Sequence, residues 1–377
     1  MAAAVLDALA PAGWHPPMIN WSEDPAQDAQ TLRALVLGMS RSGALPADAV
    51  LRAAHGMAAA SGDLNTFALG RAAVAALFAQ LAGTPNVQPG MTYNRAPDGR
   101  WVASSVIAKA AAGQAGVLRG DVLVSIDGRK VEHGYIDFAP LLGVAAGTAA
   151  MLVIDRAGKT AEVGLRLGVV DPPIVESRML AGGIGYIRVW SCTHADAKAR
   201  DAGALVAKAL AQLDANHARS LVLDLRGNPG GFPFDIASLL VDADPLLVSV
   251  SATGDEQPLP RTKIAAWKTK RPIAVLVDDE TASGAEMLAL ALRDHAGATI
   301  VGRPTAGALT LTTVETIAGD VTLSYPVSRV ASAKTKTPID GNRVVPDFDI
   351  PNPTAADYTA GRDPQLDGAI AALAGAH

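Results

Sequence analysis

Two short segments of this chain carry residues whose types and spacing suit acyl-transfer chemistry. The first, Leu221 to Gly231, reads LVLDLRGNPGG: an apolar run meets Asp224 and gives way to glycines that leave backbone N–H groups unshielded. Such a turn builds a concavity for an anion, or for an oxygen becoming one. The second, Ile273 to Met287, reads IAVLVDDETASGAEM: another apolar run enters a small-residue turn holding Ser283, and an Ala- and Leu-rich stretch follows. A serine on a strand-to-helix turn has its hydroxyl exposed and the next amides free, which is what a nucleophile requires. Together the two segments predict a hydrolase site. The plainer role for Ser283 is to cap the helix behind it, but the matching glycine turn favours the nucleophile. Glu286, one helical turn on, fits a capping-box partner. Asp224, Arg226 and Asn228 fit a structural role, fixing the glycine turn through charge-assisted and neutral hydrogen bonds.

Other chemistries find little support. Cys192 is the only cysteine and no His-x-x-x-His spacing occurs, so neither a metal site nor a cofactor is expected. The glycine turn lacks the Gly-Lys-Ser/Thr ending of a phosphate loop. A formal net charge of −5 without a Lys/Arg block argues against nucleic acid. No apolar run reaches the ~18 residues of a membrane span. The start, MAAAVL, lacks a basic segment and a long apolar one, so no secretory signal is expected in the chain as given.

Three regions must position the chemistry. Residues 1–87 form a helical region: Leu32, Leu35 and Val36, then Val50, Leu51 and Ala54, then Ala72, Val74, Leu77 and Leu81 recur at helical spacing. Asp63 and Asn65 are candidate caps for the third helix. Residues 88–172 read as short alternating strands with turn signals. The string from Gly116 to Gly128, GVLRGDVLVSIDG, resembles the internal pattern of PDZ domains. That resemblance implies a module that binds an extended peptide, often a chain end, by strand addition. Residues 173–377 alternate strands (Ile184 to Val189, Leu221 to Leu225, Ile273 to Val277, Thr299 to Val301) with helices (Asp196 to Leu213, Ala282 to His295), which predicts an α/β layer.

The PDZ-like string, the glycine turn, the Ser283 turn, Gly302 to Gly307 (GRPTAG) and Ile339 to Asp347 (IDGNRVVPD) occur in one order. In this the chain resembles the C-terminal-processing peptidase and tricorn-protease superfamily of serine peptidases. The resemblance implies a crotonase-like (ClpP/crotonase-type) α/β core with a preceding or inserted PDZ module, and Ser283 as nucleophile. It also implies an oxyanion hole from the Gly284 amide with those of Gly230 or Gly231. A peptide or protein substrate would bind, through its C-terminus, on the PDZ-like module. A periplasmic or secreted location is implied by resemblance alone, with a cytoplasmic one as the alternative, and a homo-oligomer is compatible with it.

The pattern departs from the family at the base. Where one branch places a lysine after the Gly-x-x-Thr-x-Gly turn, this chain has Ala308. Where the other places a histidine before the PDZ domain, Leu81 to Val87 reads LAGTPNV, without one. The closing acidic position is Asp340. A serine needs a group to take its proton. His194, in the loop after Ile184–Val189, is the first choice for that base, oriented by Asp340; its plain alternative is a polar residue at a helix start near Asp196. His55, Lys334 and Lys336 rank lower, and His295 suits a helix C-terminus. The leading expectation is a serine peptidase. The alternatives are a peptide-binding pseudo-peptidase that has lost its base, and a small acyl or ester hydrolase on the same cleft.

Overall fold

The computed structural model describes residues 66–132, 135–194, 200–251, 253–259, 271–318, 321–336 and 343–375, with a few isolated positions before Thr66. The first two helices expected in residues 1–87, with Asp63, Asn65 and His55, lie outside the described residues, as does Asp340. The third expected helix is present as α1 (Arg71–Leu81), preceded by a strand, β1 (Phe67–Gly70). Gly70 is its N-cap, so the start lies later than the Asp63 and Asn65 signals suggest.

The PDZ-like module follows. It runs through β2 (Asn86–Gln88), β3 (Met91–Arg95), β4 (Trp101–Val106), α2 (Ala111–Gln114), β5 (Val122–Ile126), β6 (Arg129–Lys130) and α3 (Tyr135–Phe138). It closes with β7 (Ala149–Arg156), β8 (Lys159–Arg166) and β9 (Gly168–Val170). The strands form a sheet in the order β3-β4-β5-β7-β8, with β6 on β5, while β2 pairs β9 where the module enters and leaves the core. Alternation along β7, with Ala150, Leu152 and Ile154 buried, gives this sheet one face over its own apolar cluster.

The core is layered. Its main sheet runs β10 (Val175–Leu180), β11 (Ile184–Val189), β12 (Ser220–Asp224), β15 (Ile273–Val277), β16 (Thr299–Gly302) and β19 (Phe348–Asp349), parallel from β11 onward. β12 and β15 are buried along their whole length because helices cover both faces, which is why both read as unbroken apolar runs. Leu221, Leu223, Val275 and Val277 face α4 (Ala202–Ala215), α5 (Phe234–Leu240) and α6 (Gly284–Ala296). Val222, Ala274 and Leu276 face the C-terminal helix that contributes Ala369 and Leu373. A second sheet of β13 (Leu247–Val250), β14 (Glu256–Pro258), β17 (Thr310–Ala318) and β18 (Val321–Ser332) also takes in β1. The short helices α7 (Ala355–Thr359) and α8 (Pro364–Ala374) close the chain. Through α7, Tyr358 packs with Ala96, Val102 and Val122 of the PDZ-like module and accepts a hydrogen bond from Asn94 Nδ2 at 2.7 Å.

Candidate active site

β12 and β15 are neighbours in parallel register, so the turns at their C-terminal ends emerge side by side. The first turn is fixed by Asp224 and Arg226. The buried Asp224 carboxylate accepts from Arg226 N (3.0 Å), Nε (2.9 Å) and Nη2 (2.6 Å), and from the Tyr186 hydroxyl (2.7 Å). Burial alone would raise its pKa, but the Arg226 charge and hydrogen bonds outweigh this and hold it below the usual carboxylate range. Arg226 reaches on to Asp363 and Gln365, which anchors the turn to the start of α8. Asn228 donates from Nδ2 to the Val189 carbonyl at 2.9 Å and accepts the Gly230 amide on Oδ1 at 2.9 Å. The structural role expected for these residues accounts for their contacts.

The two turns are laced together. Gly227 N donates to Asp278 Oδ1 (2.9 Å), Ala282 N to the Asn228 carbonyl (3.0 Å), and the Thr281 hydroxyl to the Leu225 carbonyl (3.0 Å). A Cβ on Gly230 would lie 2.8 Å from both Ser283 Cβ and Gly284 N, and one on Gly284 2.2 Å from the Gly231 oxygen. Only glycine permits this approach, so the serine and the glycine turn meet, with Ser283 Cβ against Gly230.

Ser283 is the N-cap of α6 and holds φ 51° and ψ −119°, a conformation side-chain-bearing residues rarely adopt. What holds it there is Glu286. That buried carboxylate accepts the Ser283 amide (2.8 Å), the Gly307 amide (2.9 Å), the Ala308 amide (2.7 Å) and the Thr305 hydroxyl. Glu286 thus fixes the serine turn and the Gly302–Gly307 turn at once, a larger role than the capping partner the sequence suggests. Burial raises its pKa, and these four donors oppose the rise.

For an oxyanion, the three glycines are not equivalent. The Gly230 amide is committed to Asn228 Oδ1, so it is removed from the expected set. Gly231 and Gly284 have amides with no acceptor among the described residues. The unpaired pair is the one that flanks the serine turn.

Ala308 is buried, 3% exposed, where the lysine is absent. The Leu81–Thr84 segment does reach the site: a Cβ on Gly231 would lie 3.4 Å from the Leu81 oxygen, and Ser191 Oγ donates to that oxygen at 3.0 Å. It brings no imidazole with it. His194 lies two residues beyond Cys192, whose amide donates to the Gly230 carbonyl (2.8 Å) and whose carbonyl accepts the Phe232 amide (2.6 Å). Its ring packs on Phe232 with centroids 5.0 Å apart, and its Nδ1 is 2.9 Å from Asp235 Oδ2. The carboxylate beside His194 is therefore Asp235, which the sequence reading missed because it sits in α5, forty-one residues away in the chain. No described hydrogen bond joins His194 to Ser283. Lys334 Nζ donates to the Asp294 carbonyl, and His295 Nε2 contacts the Leu246 carbonyl; both lie at the end of α6 remote from Ser283. Lys336 pairs with Glu256.

A cleft of about 340 Å³ opens between the module and the core, lined by Met91, Thr92 and Val106 on one side and Trp190, Gly227 and Pro229 on the other. β3, which supplies Met91 and Thr92, is an edge of its sheet.

A strained serine at a helix start thus faces a glycine turn with unpaired amides, an arrangement that acyl-transfer chemistry can use. Comparison with known proteins makes the class specific: residues 183–350 match Peptidase family S41, and residues 102–156 match the PDZ domain. The S41-matching region thus follows the PDZ-matching one along the chain. It is 32% identical over 283 residues to carboxyl-terminal-processing peptidase 2, chloroplastic, of Arabidopsis thaliana, covering 71% of this chain and 54% of that protein. It is 27% identical over 242 residues to the carboxy-terminal processing protease CtpA of Bacillus subtilis (strain 168), covering 63% and 50%. The chain spans about half the length of these curated relatives. Among solved structures, the photosystem II D1 C-terminal processing protease shares the fold with a TM-score of 0.58 at 23% identity, covering 88% of this chain and 94% of that one. Among the described residues no helix is long and apolar enough to cross a membrane.

Proposed function

We propose that this protein is a serine peptidase that cleaves peptide or unfolded protein chains through an acyl-enzyme on Ser283. The observation that carries the proposal is the strained Ser283 backbone set against Gly230. Ser283 Oγ attacks the scissile carbonyl, and the Gly231 and Gly284 amides receive the oxyanion. His194 takes the serine proton, and Asp235 positions the ring by accepting Nδ1–H so that Nε2 is the basic nitrogen. A substrate segment adds to the β3 edge of the PDZ module (residues 88–172) and runs along the 340 Å³ cleft toward the Gly227–Gly231 turn of the core (173–377). Resemblance to processing proteases supports a periplasmic or secreted site of action.

The test is fluorophosphonate labelling of the full chain with mass-spectrometric site mapping, alongside hydrolysis of an unstructured protein substrate. Modification at Ser283 and turnover abolished by Ser283→Ala are expected. A folded chain that binds peptide but takes no label would instead establish the pseudo-peptidase reading, which the buried Ala308 favours.

A further inference from the structure

His194, Asp201 and Asp235 come from three separate elements: the loop after β11, the N-cap of α4 and the first turn of α5. Their ligating atoms nevertheless all lie within 4.8 Å of one another. His194 Nδ1 is 2.9 Å from Asp235 Oδ2 and 3.4 Å from Asp201 Oδ2. One ring nitrogen carries at most one hydrogen and cannot satisfy both carboxylates fully. The burden falls on Asp235, whose side chain is 7% exposed and whose Oδ1 finds no donor among the described residues. A buried carboxylate oxygen without a donor is costly unless a cation compensates it. The approach of the two acids is built in: Gly203 has no side chain where a Cβ would lie 2.5 Å from Asp235 Cβ and 3.2 Å from Asp201 Oδ1. Asp201 Oδ1 accepts the Ala204 amide at 2.7 Å, which turns Oδ2 toward the cluster, the kind of outer hydrogen bond that orients metal ligands.

We propose that His194, Asp201 and Asp235 form a binding site for one divalent transition cation of the zinc type. One imidazole and two carboxylates are a donor set that suits Zn²⁺. Ligands at ~2.0–2.2 Å from a tetrahedral ion stand ~3.4 Å apart, close to the 2.9 and 3.4 Å that separate His194 Nδ1 from the two acids. The exposed side of His194 leaves a fourth position for water or a substrate oxygen. The sequence hides this site because its three ligands have no local spacing. The site does not involve Ser283 but shares His194 with the base proposed above, and an ion on Nδ1 draws electron density from the ring and weakens it as a base.

The experiment titrates Zn²⁺ alone into the full chain carrying Ser283→Ala, by calorimetry and by thermal melting. One equivalent is expected to bind and to raise the melting temperature. Asp235→Asn and Asp201→Asn, the latter retaining an N-cap oxygen, should each weaken binding more than ~10-fold, the cost of disturbing even an outer partner. The exposed His194→Ala should do the same, and it keeps the test decisive if an Asn variant fails to fold. Absence of binding, or binding undiminished in these variants, overturns the proposal. Because Ser283 is removed throughout, either result is separate from whether that serine is the nucleophile.

Discussion

The Gly284 Cα is packed so tightly against the Gly231 carbonyl that a methyl group added to it would lie 2.2 Å from that oxygen. The serine turn and the glycine turn are thus in steric contact through backbone alone. Gly230 is equally confined, at φ 110° with Ser283 Cβ 2.8 Å from its absent methyl. Gly230→Ala must displace the serine or the oxyanion turn, and labelling at Ser283 should slow by ~10²–10³-fold, the usual cost of losing an oxyanion donor. Ser283→Ala should melt like the parent, which separates the chemical loss from a folding loss.

Glu286→Gln should be destabilising although it is nearly isosteric. The carboxylate accepts four donors, and a glutamine places an NH₂ where at least one N–H already points. The expected loss is about 1–3 kcal/mol in denaturant unfolding. Because Ser283 and Ala308 both hang on this carboxylate, probe labelling should fall with stability.

Three consecutive acids precede the serine, and they predict a pH dependence. Burial, then the neighbouring Asp279 charge, pushes the Asp278 carboxyl up to about 6, and burial raises Glu280 well above its ordinary value. A carboxyl raised on folding binds its proton more tightly in the folded state. Its contribution is therefore full below its unfolded pKa near 4 and is lost as pH rises through about 6. Thermal melts from pH 4.5 to 7.5 should show stability falling across that window, by at most ~3 kcal/mol for Asp278. Asp278→Asn should flatten the profile while keeping an acceptor for the Gly227 amide. A slope unchanged in this variant would remove Asp278 as its source.

Tyr358→Phe should loosen the PDZ module from the core. The tyrosine hydroxyl accepts from the buried Asn94, and the Arg119 guanidinium lies 4.4 Å over its ring. Removing the hydroxyl leaves Asn94 Nδ2 without this acceptor, at a cost of about 1–3 kcal/mol. Hydrogen exchange should quicken in β3 to β5 with little change in β12 and β15.

Strand β12, strand β15 and their turns were legible in the sequence because a doubly covered parallel strand must be apolar throughout and must stop at a turn. Ser283 and the glycine turn stand out by that local chemistry, whereas the choice of Gly284 with Gly230 or Gly231 comes from the family resemblance. Strand β1 was not, since Phe67–Gly70 is too short for a period and derives its structure from pairing with β18. Asp235 was hidden for a related reason: it reads as one more acid in a helix, and only the packing of α5 beside α4 brings it to His194. The loss of the Gly230 amide to Asn228 is likewise a matter of side-chain orientation, which residue type does not encode.

The missing lysine permits a direct test of the base. Ala308 is buried beside the Glu286-bound turn, and its amide lies 2.7 Å from the carboxylate that also holds Ser283. A lysine there is carried on the same turn that the Ser283 backbone shares. If His194 is the base, His194→Gln should cut turnover ~10²–10⁴-fold, the usual worth of general-base catalysis. Ala308→Lys in that background should recover part of the loss, with activity rising toward the pH at which the introduced amine deprotonates. The fold should bear the added bulk at about 1–3 kcal/mol, so stability is measured first. Turnover unaffected by His194→Gln would remove His194 from the mechanism. Recovery in Ala308→Lys from an inactive parent would show a site complete in all but its proton acceptor.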